Sequence, residues 1–291
     1  MTSVLDRPMR SPPRQVVAAR GAAYWFSGAL AVVAFATSAL SFSIPGILAG
    51  PAVAQGNLRG TALVIMALGL PILVVSMVQA SRGSARAAVV WLSTVAYVLY
   101  QAVLFVFATP FNSLFLLYVA MLSLSIWSLV ALARQIDPAA LSDRFDRRLP
   151  NRAIAAYVGS LALLNTVAWM RTIVPAILSD EPDAFLEGSG AITNVVFVED
   201  LALWLPLMAV SAWWLWHRQP WGHLAVGAFL TMLVLESVGV ACDQWFGATA
   251  DPDTPFASIA AIPFFLGLAL VGLIPLFFYH RNLDREDAPA G

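Results

Sequence analysis

Residues 194–216 read NVVFVEDLALWLPLMAVSAWWLW, an apolar run of membrane length with two adjacent carboxylates, Glu199 and Asp200, inside it. A helix needs about 20 apolar residues to cross the hydrocarbon core of a bilayer. Within that core the backbone must satisfy its own hydrogen bonds, so a run of this length is read as a helix. The stretch has an echo earlier in the chain: residues 67–76 read ALGLPILVVS and residues 202–211 read ALWLPLMAVS.

Composition extends that reading to the whole chain. Hydrophobic residues make up 60% and charged residues 11%, and the mean hydropathy is +0.78. A soluble domain carries roughly 25% charged residues. So few charges cannot cover a water-facing surface, and the solvent is lipid. Apolar runs recur at about 22–44, 60–81, 87–108, 112–134, 153–178, 194–216, 222–243 and 256–279. The expected fold is all-α and polytopic, with about eight transmembrane helices. A tail (1–21), four helices (22–134), a linker (135–152), four more helices (153–280) and a second tail (281–291) follow in order. Pro71, Pro175, Pro206, Pro263 and Pro275 lie inside spans, where neighbouring helices tolerate them as kinks. Pro51-Ala52-Val53-Ala54-Gln55 resembles a signal-peptidase site. The apolar run before it is longer than the roughly 7–15 residues of a signal sequence, so the first helix is expected to be retained.

Orientation follows from arginine, because the chain has no lysine. Arg7, Arg10, Arg14 and Arg20 precede the first span, and Arg82 and Arg86 separate the second and third. Arg134, Arg144, Arg147, Arg148 and Arg152 lie between the fourth and fifth. His217 and Arg218 follow the sixth, and Arg281 and Arg285 follow the last. With eight spans all of these share one side, which the positive-inside rule makes cytoplasmic. Both termini are then cytoplasmic. The opposite loops carry Asp180, Glu181, Asp183, Glu187, Asp251 and Asp253, with Arg59 the exception. Trp213, Trp214, Trp216 and Trp221 fall where an inner aromatic belt would form.

Three echoes fall in the same order. Ala22-Ala23-Tyr24 with Ser27 matches Ala155-Ala156-Tyr157 with Ser160, the ALxLP pair follows, and Thr109-Pro110-Phe111 matches Thr254-Pro255-Phe256. The pattern reads as a duplication of four helices. An even number of spans keeps both halves in one orientation, so the repeat is parallel, about an axis along the membrane normal. The ALxLP register also sets Gln101 opposite Glu236.

Charged groups inside a span are costly and are functional candidates by default. Glu199 and Asp200 are expected about 8–10 Å below the outer boundary, and Glu236 at about 9 Å. Asp243 lies near the surface on the same face of the seventh helix, Arg171 near the outer end of the fifth, and Asn165 deeper. Arg171, Glu199, Asp200, Glu236, Asp243, Asn165 and Gln101 therefore outline a candidate polar cavity open outward. Like charges so close favour a bound proton, cation or small cationic solute. The alternative is an interhelical ion pair of Arg171 with Glu199 or Asp200, plus acids near the positive N-terminal end of the sixth helix. Val64 and Ile65 occupy the matching places in the first half. Acids in one half only favour a site over scaffolding.

Other chemistry finds little footing. Without lysine there is no Schiff base. Cys242 is the single cysteine, which excludes an internal disulfide and a thiolate metal cluster, and it reads as a small buried hydrophobe. His217, His223 and His280 sit at span ends rather than at paired haem-ligating positions. There is no P-loop, HExxH or GxSxG, so an enzyme is the weakest class and no cofactor or metal is expected. The near-neutral charge of −1 argues against a nucleic-acid partner, and none is expected. The Asp143–Arg148 run reads as a solvated loop, and Tyr, Trp and Met stripes read as packing. The partner is the lipid bilayer, with a homo-oligomer left open.

Phe111-Asn112-Ser113-Leu114-Phe115-Leu116-Leu117-Tyr118-Val119-Ala120, with Ser123 and Ser125, resembles a pattern in a family of uncharacterised bacterial multi-pass membrane proteins. Asp200-Leu201-Ala202, Leu205-Pro206 and Arg218-Gln219-Pro220-Trp221-Gly222 are similar to it as well. The resemblance covers the fourth and sixth helices and implies no activity. Arginine-only, alanine-rich usage is similar to that of high-GC bacteria such as actinobacteria. The expected protein is a plasma-membrane, transporter-like molecule with an outward acidic pocket. The alternative is a sensor or scaffold whose intramembrane charges are structural.

Overall fold

The computed structural model of the chain describes Val16 and residues 21–283; the tail arginines Arg7, Arg10, Arg14, Arg20 and Arg285 lie outside the described residues. Among the described residues the fold is helical, with one isolated bridge between Phe145 and Leu283. Eight helices are long and apolar enough to cross a membrane. We label them α1 (Ala22–Ser43), α2 (Ala52–Ser81), α3 (Ala85–Phe107), α4 (Phe115–Gln135), α5 (Asn151–Ile177), α6 (Val195–Trp216), α7 (Pro220–Ala250) and α8 (Ile259–Arg281). Large apolar side chains such as Trp25, Leu116, Leu163 and Ile274 are exposed around the bundle. An apolar surface of that extent belongs in lipid, and the protein is a multi-pass membrane protein.

Helices α3 and α7 form the centre. In its most apolar stretch α3 is 78% buried, against 22% for α5 and 11% for α8. α7 packs on α2, α3, α6 and α8, while α1, α2, α3 and α4 pack as a group. The most extensively packed pair is α2 with α7. Gly56 and Gly60 permit it: a Cβ on Gly60 would lie 2.7 Å from the backbone nitrogen of Asp243, and one on Gly56 would meet the Phe246 carbonyl. Small residues at a membrane interface let backbones approach where no hydrophobic effect drives association.

Two boundaries differ from the sequence reading, and for one reason. α2 begins at Ala52 rather than near residue 60, and α7 continues to Ala250 rather than ending near 243. The two extensions lie against each other through Gly56, Phe246 and Gly247. Each therefore shields the other's backbone, and polar residues that look like loop become helix. Arg59 is accordingly part of α2 rather than a loop residue.

In both ALxLP segments the proline follows a widened turn. Ile65–Gly69 and Asp200–Trp204 are π-helical, with Leu70 N–H bonded to the Ile65 carbonyl and Leu205 N–H bonded to the Asp200 carbonyl. Pro71 and Pro206 lack the N–H that the carbonyl four residues earlier would accept, and their rings crowd that carbonyl. One extra residue in the preceding turn relieves the clash. Ser76 and Ser211 each return a hydroxyl to a carbonyl of their own helix, of Leu73 (2.9 Å) and of Leu207 (2.6 Å).

The segment joining α4 to α5 caps the base of the bundle. Phe145 stacks on His223 and packs edge-on against Tyr279, each with ring centroids 4.9 Å apart. Tyr279 donates to the His223 carbonyl at 2.8 Å, and Asp146 N–H donates to the Asn282 carbonyl at 3.0 Å. Residues of the expected solvated loop are thus partly built into the fold.

Candidate functional site

The proline-driven π turn of α6 begins at Asp200, so it sets the direction of the two adjacent acids. Both are buried, with 7% of Glu199 and 6% of Asp200 exposed. Each receives an indole N–H: Trp204 donates to Glu199 Oε2 at 3.3 Å, and Trp169 of α5 donates to Asp200 Oδ2 at 2.8 Å. Tyr100 on α3 lies beside Asp200.

α7 supplies the other two acids. Gln101 of α3 donates its amide N–H to Glu236 Oε2 at 2.6 Å. Thr61 of α2 donates its hydroxyl to Asp243 Oδ1 at 3.0 Å. Asp243 is thus inside the long α7 and against α2, not at the surface. Glu236 lies close enough to Asp243, Glu199 and Asp200 for all three charges to act on it. Glu236 thus stands between the α6 acids and Asp243. Glu236 and Asp243 are half-buried, whereas Glu199 and Asp200 are buried.

Every hydrogen-bond donor named here is neutral. Two buried tyrosines adjoin the acids: Tyr100 is near Glu236, Asp200 and Glu199, and Tyr97 is near Glu236 and Asp243. Among the described residues, Glu199 Oε1, Gln101 Oε1 and the Tyr97 hydroxyl are among the buried polar atoms without a hydrogen-bond partner. Buried polar atoms are nearly always paired, so each of these has room for one more hydrogen bond, to a ligand, water or proton.

Two expected members are elsewhere. Arg171 is exposed, and it is not among the groups acting on Glu199, Asp200 or Glu236. The ion pair with Glu199 or Asp200, the alternative reading of the sequence, is therefore absent among the described residues. α5 lies on the periphery, and the long arginine stem carries its charge out along lipid toward water. Asn165 is half-buried on α5 and makes no hydrogen bond to the acids among the described residues. Trp169, Trp204, Tyr97, Tyr100 and Thr61 replace them. An aromatic in an apolar helix reads as packing, and only its neighbour on another helix reveals the polar edge.

Among the described residues, no three His, Cys, Asp or Glu side chains converge where one metal ion would touch them all. No protein-family model, no characterised protein and no solved structure matches the chain.

Proposed function

We propose that this is a bacterial plasma-membrane protein that carries a proton or a small cationic solute through the site formed by Glu199, Asp200 and Glu236. The observation behind the proposal is a group of intramembrane carboxylates whose donors, among the described residues, are all neutral. An isolated charge at mid-span costs roughly 2.5–3.5 kcal/mol on insertion scales. Neutral donors reduce that cost without cancelling the charge, so a proton or cation is the natural complement. Aromatic faces and edges at Tyr97, Tyr100, Trp169 and Trp204 suit an organic cation, which aromatic rings attract when desolvated. The exposed position of Arg171 counts against the ion-paired scaffold.

The architecture we infer is a parallel duplication, 22–134 with 153–280. The matched π turns, the matched serines and the matched helix pairs α3–α4 and α7–α8 support it. The arginine distribution supports cytoplasmic termini. With Cys242 replaced by alanine, a single cysteine at 183 should react with an impermeant reagent from outside, and one at 147 from inside only.

The decisive experiment places the purified protein in liposomes and measures proton- or cation-driven uptake. Glu236→Gln keeps the shape and the Gln101 contact but removes one ionisable group. Loss of uptake with an intact fold is the expected result. If ligand-dependent thermal stability and uptake match wild type, the site reading fails and the sensor or scaffold reading stands.

A further inference from the structure

α5 and α8 are the least buried helices, and they do not close against each other as α1 and α4 do. Between them runs a groove of about 660 Å³ whose walls include Ile154, Tyr157, Ile274 and Phe278, with Arg148 and Arg281 at one end. That volume is within the roughly 300–1,000 Å³ of ligand pockets. The lining is apolar apart from its arginine end and the Tyr157 hydroxyl. A Cβ on Gly272 would lie 3.4 Å from that hydroxyl, so Tyr157 bridges to α8 and forms the groove's other end. From Arg281 back to Val271 the groove follows α8 for about 15 Å, at 1.5 Å per residue. Half the hydrocarbon thickness of a bilayer is about the same.

We propose that this groove holds one anionic phospholipid, with an acyl chain against Ile154, Ile274 and Phe278 and the phosphate between Arg148 and Arg281. Charge complementarity, joined to a one-leaflet length on a lipid-facing wall, points to this occupant. The arginine end is prearranged. Phe145 and Asp146 tie the segment carrying Arg148 to Tyr279 and Asn282, which flank Arg281. Arg281 itself stands 5.9 Å from the Phe277 ring. On the orientation proposed above this is the inner leaflet, where anionic lipid is concentrated. The proposal does not depend on the acidic site.

The test uses the full chain in neutral detergent, titrated with phosphatidylglycerol, phosphatidylcholine or glycerol phosphate, with thermal melting and native mass spectrometry as readouts. Phosphatidylglycerol should raise the melting temperature and remain bound as one molecule, phosphatidylcholine should do so weakly, and glycerol phosphate not at all. Arg148→Gln with Arg281→Gln should weaken phosphatidylglycerol about thirtyfold, from two basic contacts of the usual strength. Ile274→Trp, at an exposed position that tolerates bulk, should block both lipids while leaving lipid-free melting unchanged. Equal effects of the two lipids on wild type, or an undiminished preference in the double variant, would overturn the proposal. A response to glycerol phosphate equal to that of the lipid would replace it with a free-phosphate site.

Discussion

Gln101 Nε2 lies 2.6 Å from Glu236 Oε2, joining the two central helices through residues 135 positions apart. That separation is also the register between the two π turns. Under the proposed duplication, the pair are counterparts that meet at the axis. One has become a neutral amide and the other an acid, so the contact is a hydrogen bond between unlike groups rather than a repulsion between like ones.

Replacing Gln101 with Leu should destabilise the protein by about 1–3 kcal/mol, because it strips a buried acceptor of its donor. Gln101→Leu combined with Glu236→Leu should recover most of that loss, since removing both partners leaves nothing unsatisfied. Thermal melting of the four proteins in detergent gives the coupling directly. An additive double variant would mean that the hydrogen bond contributes nothing.

Arg171→Gln should change stability by no more than about 0.5 kcal/mol, the usual range for a surface position without partners. It should also leave uptake intact. A large destabilisation would restore the ion pair that the sequence suggested.

Gly60→Ala should cost about 1–3 kcal/mol by forcing α2 from α7, since the added carbon meets the Asp243 backbone at 2.7 Å. It should also impair the site, because Thr61 would be drawn away from Asp243. Gly28→Ala and Gly267→Ala serve as controls. Nothing lies within 4 Å of an added carbon at either position, so both should be neutral or slightly stabilising.

Pro206→Ala removes the cause of the widened turn. If that turn reverts to α-helix, residues before it rotate by about 100° relative to those after it. Glu199 and Asp200 should then turn from Glu236 while helix content by circular dichroism is unchanged. The measurable consequence is epistasis: Glu236→Gln should have no further effect on uptake or ligand-dependent melting in the Pro206→Ala background.

By itself the sequence determined that the chain is helical and crosses the membrane many times. Hydropathy and run length suffice there, because lipid offers the backbone no alternative partner. It also marked Glu199, Asp200 and Glu236, since a charge within an apolar run is visible without knowing its neighbours. The proline of each ALxLP segment marked a break, though not that the break would be a π turn.

Tertiary structure alone decided which side of each helix faces inward. A soluble helix announces its buried face through polar and apolar periodicity. A lipid-facing helix such as α5 is apolar on every side, so Arg171 and Trp169 carried no sign of direction. Packing turned Trp169 toward Asp200 and Arg171 out of the bundle. The same limit hid the pairing of Thr61 with Asp243, which exists because Gly60 lets α2 and α7 approach. Which helices become neighbours depends on backbone fit summed over whole faces, and no single residue in the chain records it.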